Sequence, residues 1–336
     1  MSRKHIVFLL VLVVSLSFVG TACGGTSSPK GGPEGGTETV TIGTLPWIGY
    51  GPWYIAQEKG FDKKNGVKIE LKNFKTDADL NSAFASRRLD AANVATHTSI
   101  KFQDAGLDFT SVLVEDVSTT ADAIVAPKSV GSIQGLAGKK VAYEEGTTSD
   151  LLLNYALSQN GLSRENIETV PIPAADVGNA LIADRVDVGV TYEPYLTKAL
   201  SEDPNLKLLY TAGEKPGLVS DVFVVQSEMA EEQPELIENL LKAWDQAVQF
   251  YDENTAEGQQ IIGENVGITN TDELETTFEG VELYSLDENR ELLQGEFQDT
   301  MVSIKGTLEQ QGELESDPDP LANLETQFVE NLGSGR

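Results

Sequence analysis

Cysteine is almost absent: Cys23 is the only one in 336 residues, so no internal disulfide can form and a thiolate zinc site has no ligand set. Histidine is nearly as scarce, limited to His5 and His97, which removes the usual base for a nucleophilic serine or cysteine. Neither a Gly-x-Ser-x-Gly elbow nor a Gly-Lys-Ser/Thr phosphate loop occurs, so no enzyme, metal or cofactor is expected. Positive charge is sparse as well. Twenty-four Lys and Arg against 53 Asp and Glu leave a net charge of −29, a surface that repels phosphate backbones and anionic lipid and excludes nucleic-acid binding. The longest apolar run, Ile6 to Val19, is too short for a comfortable transmembrane helix.

What is present begins with the three parts of an export signal. Basic Arg3 and Lys4 precede that apolar run, and small Gly20, Thr21 and Ala22 lead to Cys23. The expectation is a signal peptide over residues 1–22 and a lipidated Cys23, because a cysteine directly after small residues looks like a bacterial lipobox. Gly20 and Val19 stand where that motif is usually leucine-rich. Residues 23–36, built from Gly, Ser, Thr, Pro, Lys and Glu after the cysteine, have nothing to bury and read as a flexible linker. A tethered body on the outer face of the cytoplasmic membrane is expected, held there by its lipid.

The remainder is long enough for two domains, and a hydrophobic fraction of 40% is ordinary for a globular protein. Val40-Thr41-Ile42 predicts a strand that passes through Leu45-Pro46-Trp47-Ile48-Gly49-Tyr50-Gly51 into a helix, opened by Pro52 and closed by Gly60. Val67 to Lys72 alternates as a half-buried strand, Asp77 to Arg88 carries helical spacing, and Leu89 to Val94 returns to strand. A second series of the same kind follows, with strands at Lys140 to Tyr143, Ile167 to Ile172 and Val186 to Thr191. Helices at Leu151 to Gln159 and Ala175 to Asp184 lie between them. The repeated β-α-β-α pattern predicts an α/β fold with largely parallel sheets flanked by helices. After the strand Val222 to Val225 the chain is expected to be helical to its end.

Several of these stretches resemble the nitrate/sulfonate/taurine family of ABC-transporter substrate-binding proteins. They are Trp47-Ile48-Gly49-Tyr50-Gly51-Pro52-Trp53-Tyr54-Ile55-Ala56-Gln57-Glu58-Lys59-Gly60-Phe61, Arg88-Leu89-Asp90-Ala91-Ala92, Leu136-Ala137-Gly138-Lys139-Lys140-Val141-Ala142, Glu144-Glu145-Gly146-Thr147 and Thr191-Tyr192-Glu193-Pro194-Tyr195. The resemblance implies a type II periplasmic-binding-protein fold. Its first lobe would run over residues 37–124 and 225–336, with a second lobe over 125–224 and two crossings at the hinge. It also implies a monomer that captures a small polar organic solute of sulfonate, taurine or amine type and hands it to an ABC permease and its ATPase. A solute sensor of the same fold and a nitrate-type anion receptor remain as alternatives. The fold also houses a thiamine-pyrimidine synthase, but the cysteine-rich motif and histidine of that enzyme are missing here.

Strand ends are where α/β sheets hold ligands. That selects Trp47 and Tyr50, then Thr96 and His97, then Glu145, Thr147 and Thr148, and Tyr192. The hydroxyls at these turns serve equally well as helix caps or as partners for an anionic group at a helix N-terminus. Asp122 and Asp221 add carboxylates near the two predicted lobe crossings, and the resemblance implies that Glu193 is a cleft residue. Asp122 and Asp221 either fix the hinge or face the solute. In the second case, their burial favours a solute bearing an amine.

Overall fold

The computed structural model describes residues 38–268, 270 and 273–333; the expected signal segment, Cys23 and the linker lie outside the described residues. Eleven strands occur among the described residues: β1 (Glu38–Thr44), β2 (Val67–Asn73), β3 (Ala91–Ala95), β4 (Phe109–Ser118), β5 (Asp122–Pro127), β6 (Lys140–Tyr143), β7 (Glu168–Pro171), β8 (Val188–Tyr192), β9 (Leu206–Thr211), β10 (Ser220–Gln226) and β11 (Val281–Leu283). They form two sheets, ordered β11-β4-β10-β3-β1-β2 and β7-β6-β8-β5-β9. Helices flank both, giving two α/β lobes within the unit that runs from Thr37 onward.

Each sheet is mixed. The β-α-β units give parallel pairs, β1 with β2 and β3, and β6 with β7 and β8. The strands flanking the crossings run the other way: β10 is antiparallel to β3 and β4, and β5 is antiparallel to β8 and β9. Alternation in β2 is half-buried as expected, with Val67 and Ile69 inside and Lys68 out. By contrast, β3, β4 and nearly all of β5 and β10 are buried along their length, because elements cover both faces. The 20-residue helix Pro234–Glu253 lays Leu236, Ile237, Leu240, Leu241, Trp244 and Val248 against the helix Gly51–Glu58 and the core.

The chain crosses between sheets over residues 119–121 and 212–219. The expected boundaries after 124 and 224 therefore fall inside β5 and β10. After their polar openings at Asp122 and Ser220-Asp221 the two strands run apolar through the expected boundaries, and nothing there marks a change of sheet; the turn residues sit earlier, at Thr119-Thr120 and Pro216-Gly217. The expected all-helical end is also interrupted by β11, whose three residues are too few to show a period. No helix among the described residues is long and apolar enough to cross a membrane.

The two crossings are bonded to each other. Gly213 N–H donates to Thr119 O at 2.5 Å, and Ser118 N–H donates to Val219 O at 3.0 Å. Gly280 pins the first crossing from outside, since its carbonyl accepts from Thr119 N–H at 2.8 Å and from the Thr119 hydroxyl at 3.1 Å. A Cβ at position 280 would lie 2.5 Å from Ala121 N and 2.9 Å from Thr120 C, both backbone atoms. Gly280→Ala is accordingly expected to lower the unfolding free energy by about 1–3 kcal/mol. Thermal unfolding at matched concentration checks this, and an unchanged midpoint would contradict the packing described.

Candidate functional site

The site is assembled where β1, β3 and β10 of one sheet meet β5, the loop after β6 and the end of β8. After β1 the chain turns at Leu45–Trp47, makes a single 3-10 turn at Ile48–Tyr50, and enters the helix Gly51–Glu58 with Pro52 in its first turn. This turn brings two aromatic side chains against acidic strand residues. The Trp47 indole Nε1–H lies 3.2 Å from both carboxylate oxygens of Asp116, and the Tyr50 hydroxyl donates to Asp221 Oδ1 at 3.0 Å. Only glycine permits the approach. A Cβ on Gly49 would stand 2.1 Å from Asp116 Oδ2.

Asp116 on β4 and Asp221 on β10 are direct cross-strand neighbours. Like charges in that position repel, and both carboxyls are buried. Burial first, then the charges of Asp221 and Glu115, raises the Asp116 carboxyl well above the usual range. Burial also raises Asp221, to about 6, against hydrogen bonds from Asp116 and Tyr50 that pull it down. Burial and mutual repulsion thus make the pair retain a proton above the ordinary carboxylate range.

From the other sheet, Asp122 opens β5 opposite Tyr192 at the end of β8. The Tyr192 ring meets Trp47 edge to face, with centroids 5.9 Å apart. Burial pushes the Asp122 carboxyl up to about 8, and the Ser118 hydroxyl offsets part of that. Thr147 precedes the helix Thr148–Gln159, whose N-terminus no side chain caps. The Thr147 hydroxyl turns back to donate to Glu144 O at 2.9 Å.

These groups enclose a cavity of about 40 Å³, lined by Leu45, Trp47, Tyr50, Asp77, Ala95, Asp122, Thr147, Thr148, Ser149, Tyr192, Val219 and Asp221. That is room for a few waters or a compact polar group. The lining contains three carboxylates and no Lys, Arg or His. Burial, then the charges of Glu144 and Asp221, pushes Asp77 up to about 7. Among the described residues no group of three or more His, Cys, Asp or Glu is arranged to hold a metal ion. The lining hydroxyls have no imidazole beside them.

Seven of the residues selected from the sequence line this cavity: Trp47, Tyr50, Asp122, Thr147, Thr148, Tyr192 and Asp221. Four do not. Thr96 is buried with its hydroxyl 2.8 Å from the Ser220 hydroxyl. His97 is buried too, and burial followed by the Lys101 charge lowers it to about 3, so it stays neutral. Glu145 is exposed in an outer groove, 4.0 Å from Arg164. Glu193 accepts from the Thr197 N–H at 3.0 Å and the Thr197 hydroxyl at 2.7 Å, fixing the start of the helix Tyr195–Glu202. Sequence reasoning missed Leu45, Asp77, Ala95, Ser149 and Val219. Asp77 had a signal of the wrong kind, for an acid one residue after Thr76 reads as a first-turn helix residue, which it also is.

Comparison with known proteins places the chain in a setting. The profile of the NMT1/THI5-like family matches residues 47–257. A Bacillus subtilis (strain 168) protein named for binding aliphatic sulfonates is 26% identical over 262 residues, 76% of this chain and 77% of its own. Among solved structures, the alkanesulfonate-binding protein of Xanthomonas axonopodis pv. citri bound to MOPS superposes with a TM-score of 0.71 at 18% identity, covering 86% of this chain and 98% of that one. The periplasmic nitrate-binding protein of Synechocystis PCC 6803 does so with a TM-score of 0.69 at 16% identity, covering 88% of each. Both structures share the two-lobed periplasmic-binding fold with this chain.

Proposed function

The chain belongs to the NMT1/THI5-like family, and from that premise we propose that it is the solute receptor of an ABC importer, working outside the cytoplasmic membrane. It captures a small polar organic solute between its lobes and delivers it to the permease, without changing it chemically. Cys23 carries the lipid that keeps the receptor at the membrane, and residues 24–36 give it reach. The observation that carries this reading is the cavity itself: Trp47, Tyr50 and Asp221 come from one sheet, and Asp122, Thr148 and Tyr192 come from the other side.

A solute touching both sides stabilises the closed arrangement over the open one, and that difference in affinity is what shifts the population. The crossings at 119–121 and 212–219 are the only covalent links between the sheets among the described residues, so closure is a rotation about them. The permease then reads the closed form. The named relatives support solutes of sulfonate and nitrate type for themselves, and the acidic lining turns this chain toward an amine-bearing one.

The test uses the chain from Thr37 onward, screened by thermal shift against sulfonates, amines, pyrimidines and nitrate. A solute at a thousand times its dissociation constant adds about 4 kcal/mol to the unfolding free energy. The same solute should reduce the radius of gyration in solution scattering, and a strain lacking the gene should lose uptake of it. If no solute stabilises the protein and deletion leaves every uptake rate unchanged, the receptor reading is wrong.

A further inference from the structure

We propose that the solute carries a positively charged nitrogen, seated among the rings of Trp47, Tyr50 and Tyr192 and balanced by Asp122 and Asp221; this rests on the receptor reading above. Two independent features of the cavity lead there. The first is its charge. Asp77, Asp122 and Asp221 line it, Asp116 lies directly behind the Trp47 indole, and none of the four forms an ion pair with a Lys or Arg among the described residues. An anion entering this space would meet acidic groups alone, would oppose the ionisation of every one of them, and would find no cation to offset its own charge.

The second feature is the aromatic wall. Three ring systems border the same small space, and the negative faces of such rings attract a cation, most strongly when it is desolvated. Carboxylate and ring together recognise a nitrogen that carries full charge. A neutral amide can hydrogen-bond to the acids but brings no counter-charge to an ionised one. Asp122 is the sharpest case, since it is only 5% exposed and lines the cavity, and among the described residues no Lys or Arg pairs with its carboxyl.

The uncapped N-terminus of the helix Thr148–Gln159, with Thr147 and Ser149 beside it, borders the same cavity and offers N–H groups and hydroxyls to the rest of the solute. A zwitterion therefore fits without any basic side chain: its ammonium faces the acids, and its oxygen-rich end faces the helix. Binding also moves protons. Asp122 is faced by Asp221, Glu193 and Asp77, with Tyr192 opposite in register, and burial holds it protonated up to about 8. An arriving cation pairs with the ionised form, so the carboxyl must release its proton to solvent.

The matched probes are taurine, ethylamine, tetramethylammonium and ethanesulfonate, titrated by calorimetry into the chain from Thr37 onward. Taurine and ethylamine share the ammonium, while ethanesulfonate keeps the anionic end alone. The expected result is that the nitrogen-bearing probes bind about tenfold or more tightly than ethanesulfonate. Asp122→Asn and Asp221→Asn should each weaken them about tenfold, and heats in buffers of different ionisation enthalpy at pH 6.5 should reveal proton release. If a variant does not fold, the ranking on the wild-type chain decides. Ethanesulfonate binding as tightly as taurine, unaffected or improved by the two substitutions, overturns the cation and leaves the receptor reading standing. Failure of every nitrogen-bearing probe to bind also overturns it, while the solute screen and uptake measurement decide the receptor reading separately.

Discussion

Between pH 6.5 and pH 8.5 the unfolding free energy of the solute-free protein should fall by at least about 3 kcal/mol. Burial raises Asp122 to about 8, Asp77 and Glu193 to about 7 and Asp221 to about 6, and lifts Asp116 and Glu115 well above the usual carboxylate range. In the unfolded chain these groups ionise near pH 4. The folded state therefore binds more protons above that pH, and stability is lost as the pH rises through the folded values. Each such group contributes about 1.4 kcal/mol per pH unit, so Asp122 alone accounts for about 2 kcal/mol between pH 6.5 and pH 8. His97 acts in the opposite sense. Its folded value is lowered to about 3, so it adds stability as the pH rises to about 6.5 and nothing beyond. Surface carboxylates are already ionised there, and the large negative charge does not confound the slope. Thermal unfolding at constant ionic strength checks this, with Asp122→Asn expected to remove about 2 kcal/mol of the fall. A flat or rising profile would show that the carboxyls are not held protonated.

Trp53→Ala should cost about 3–5 kcal/mol of stability, enough to bring most mesophilic domains near unfolding. Trp53 is fully buried, with its ring centroid 4.7 Å from that of Phe223 and 5.0 Å from that of Trp244. Its indole N–H donates to Glu115 Oε1 at 2.7 Å, while Glu115 Oε2 has no partner among the described residues. Removing the ring opens a cavity and deprives a buried acid of its one donor. Trp53→Phe separates the two effects, since it refills most of the volume yet still orphans Glu115, and about 1–3 kcal/mol is expected from the lost bond alone. Chemical denaturation of both variants provides the measurement. A Phe variant as stable as the parent would mean that the indole N–H contributes nothing.

Trp53 and Trp47 also show how far the sequence could be read. Both lie in one aromatic stretch at a strand end, and pattern alone could not say that the first belongs wholly to the core while the second borders the cavity. The distinction depends on Asp116 and Tyr192, 69 and 145 positions away, which approach only when both sheets have formed. Local rules served well where a period or a turn residue acts alone, as in β2, β6 and the helix opened by Pro52. They served poorly at β10, an apolar strand whose sheet is decided by its neighbours. Glu193 and Asp122 pose the same difficulty. Each is an acid close to a turn, yet one ties its carboxylate to Thr197 and the other leaves it facing the cavity, a difference of side-chain direction that spacing does not encode.

The placement of the three tryptophans makes the protein its own optical reporter. Trp53 and Trp244 pack at a tilt within the core, and Trp244 is fixed further by its N–H bond to Tyr284 O at 2.9 Å, so their emission is a steady background. Trp47 is the one indole whose N–H faces a carboxyl pair and whose ring edge meets a residue from the opposite sheet. Any change in that pair's protonation, or in the distance to Tyr192, alters the electric field and quenching at a single chromophore. Excitation at the red edge of the indole band thus follows solute occupancy and cavity charge at once, with no label attached.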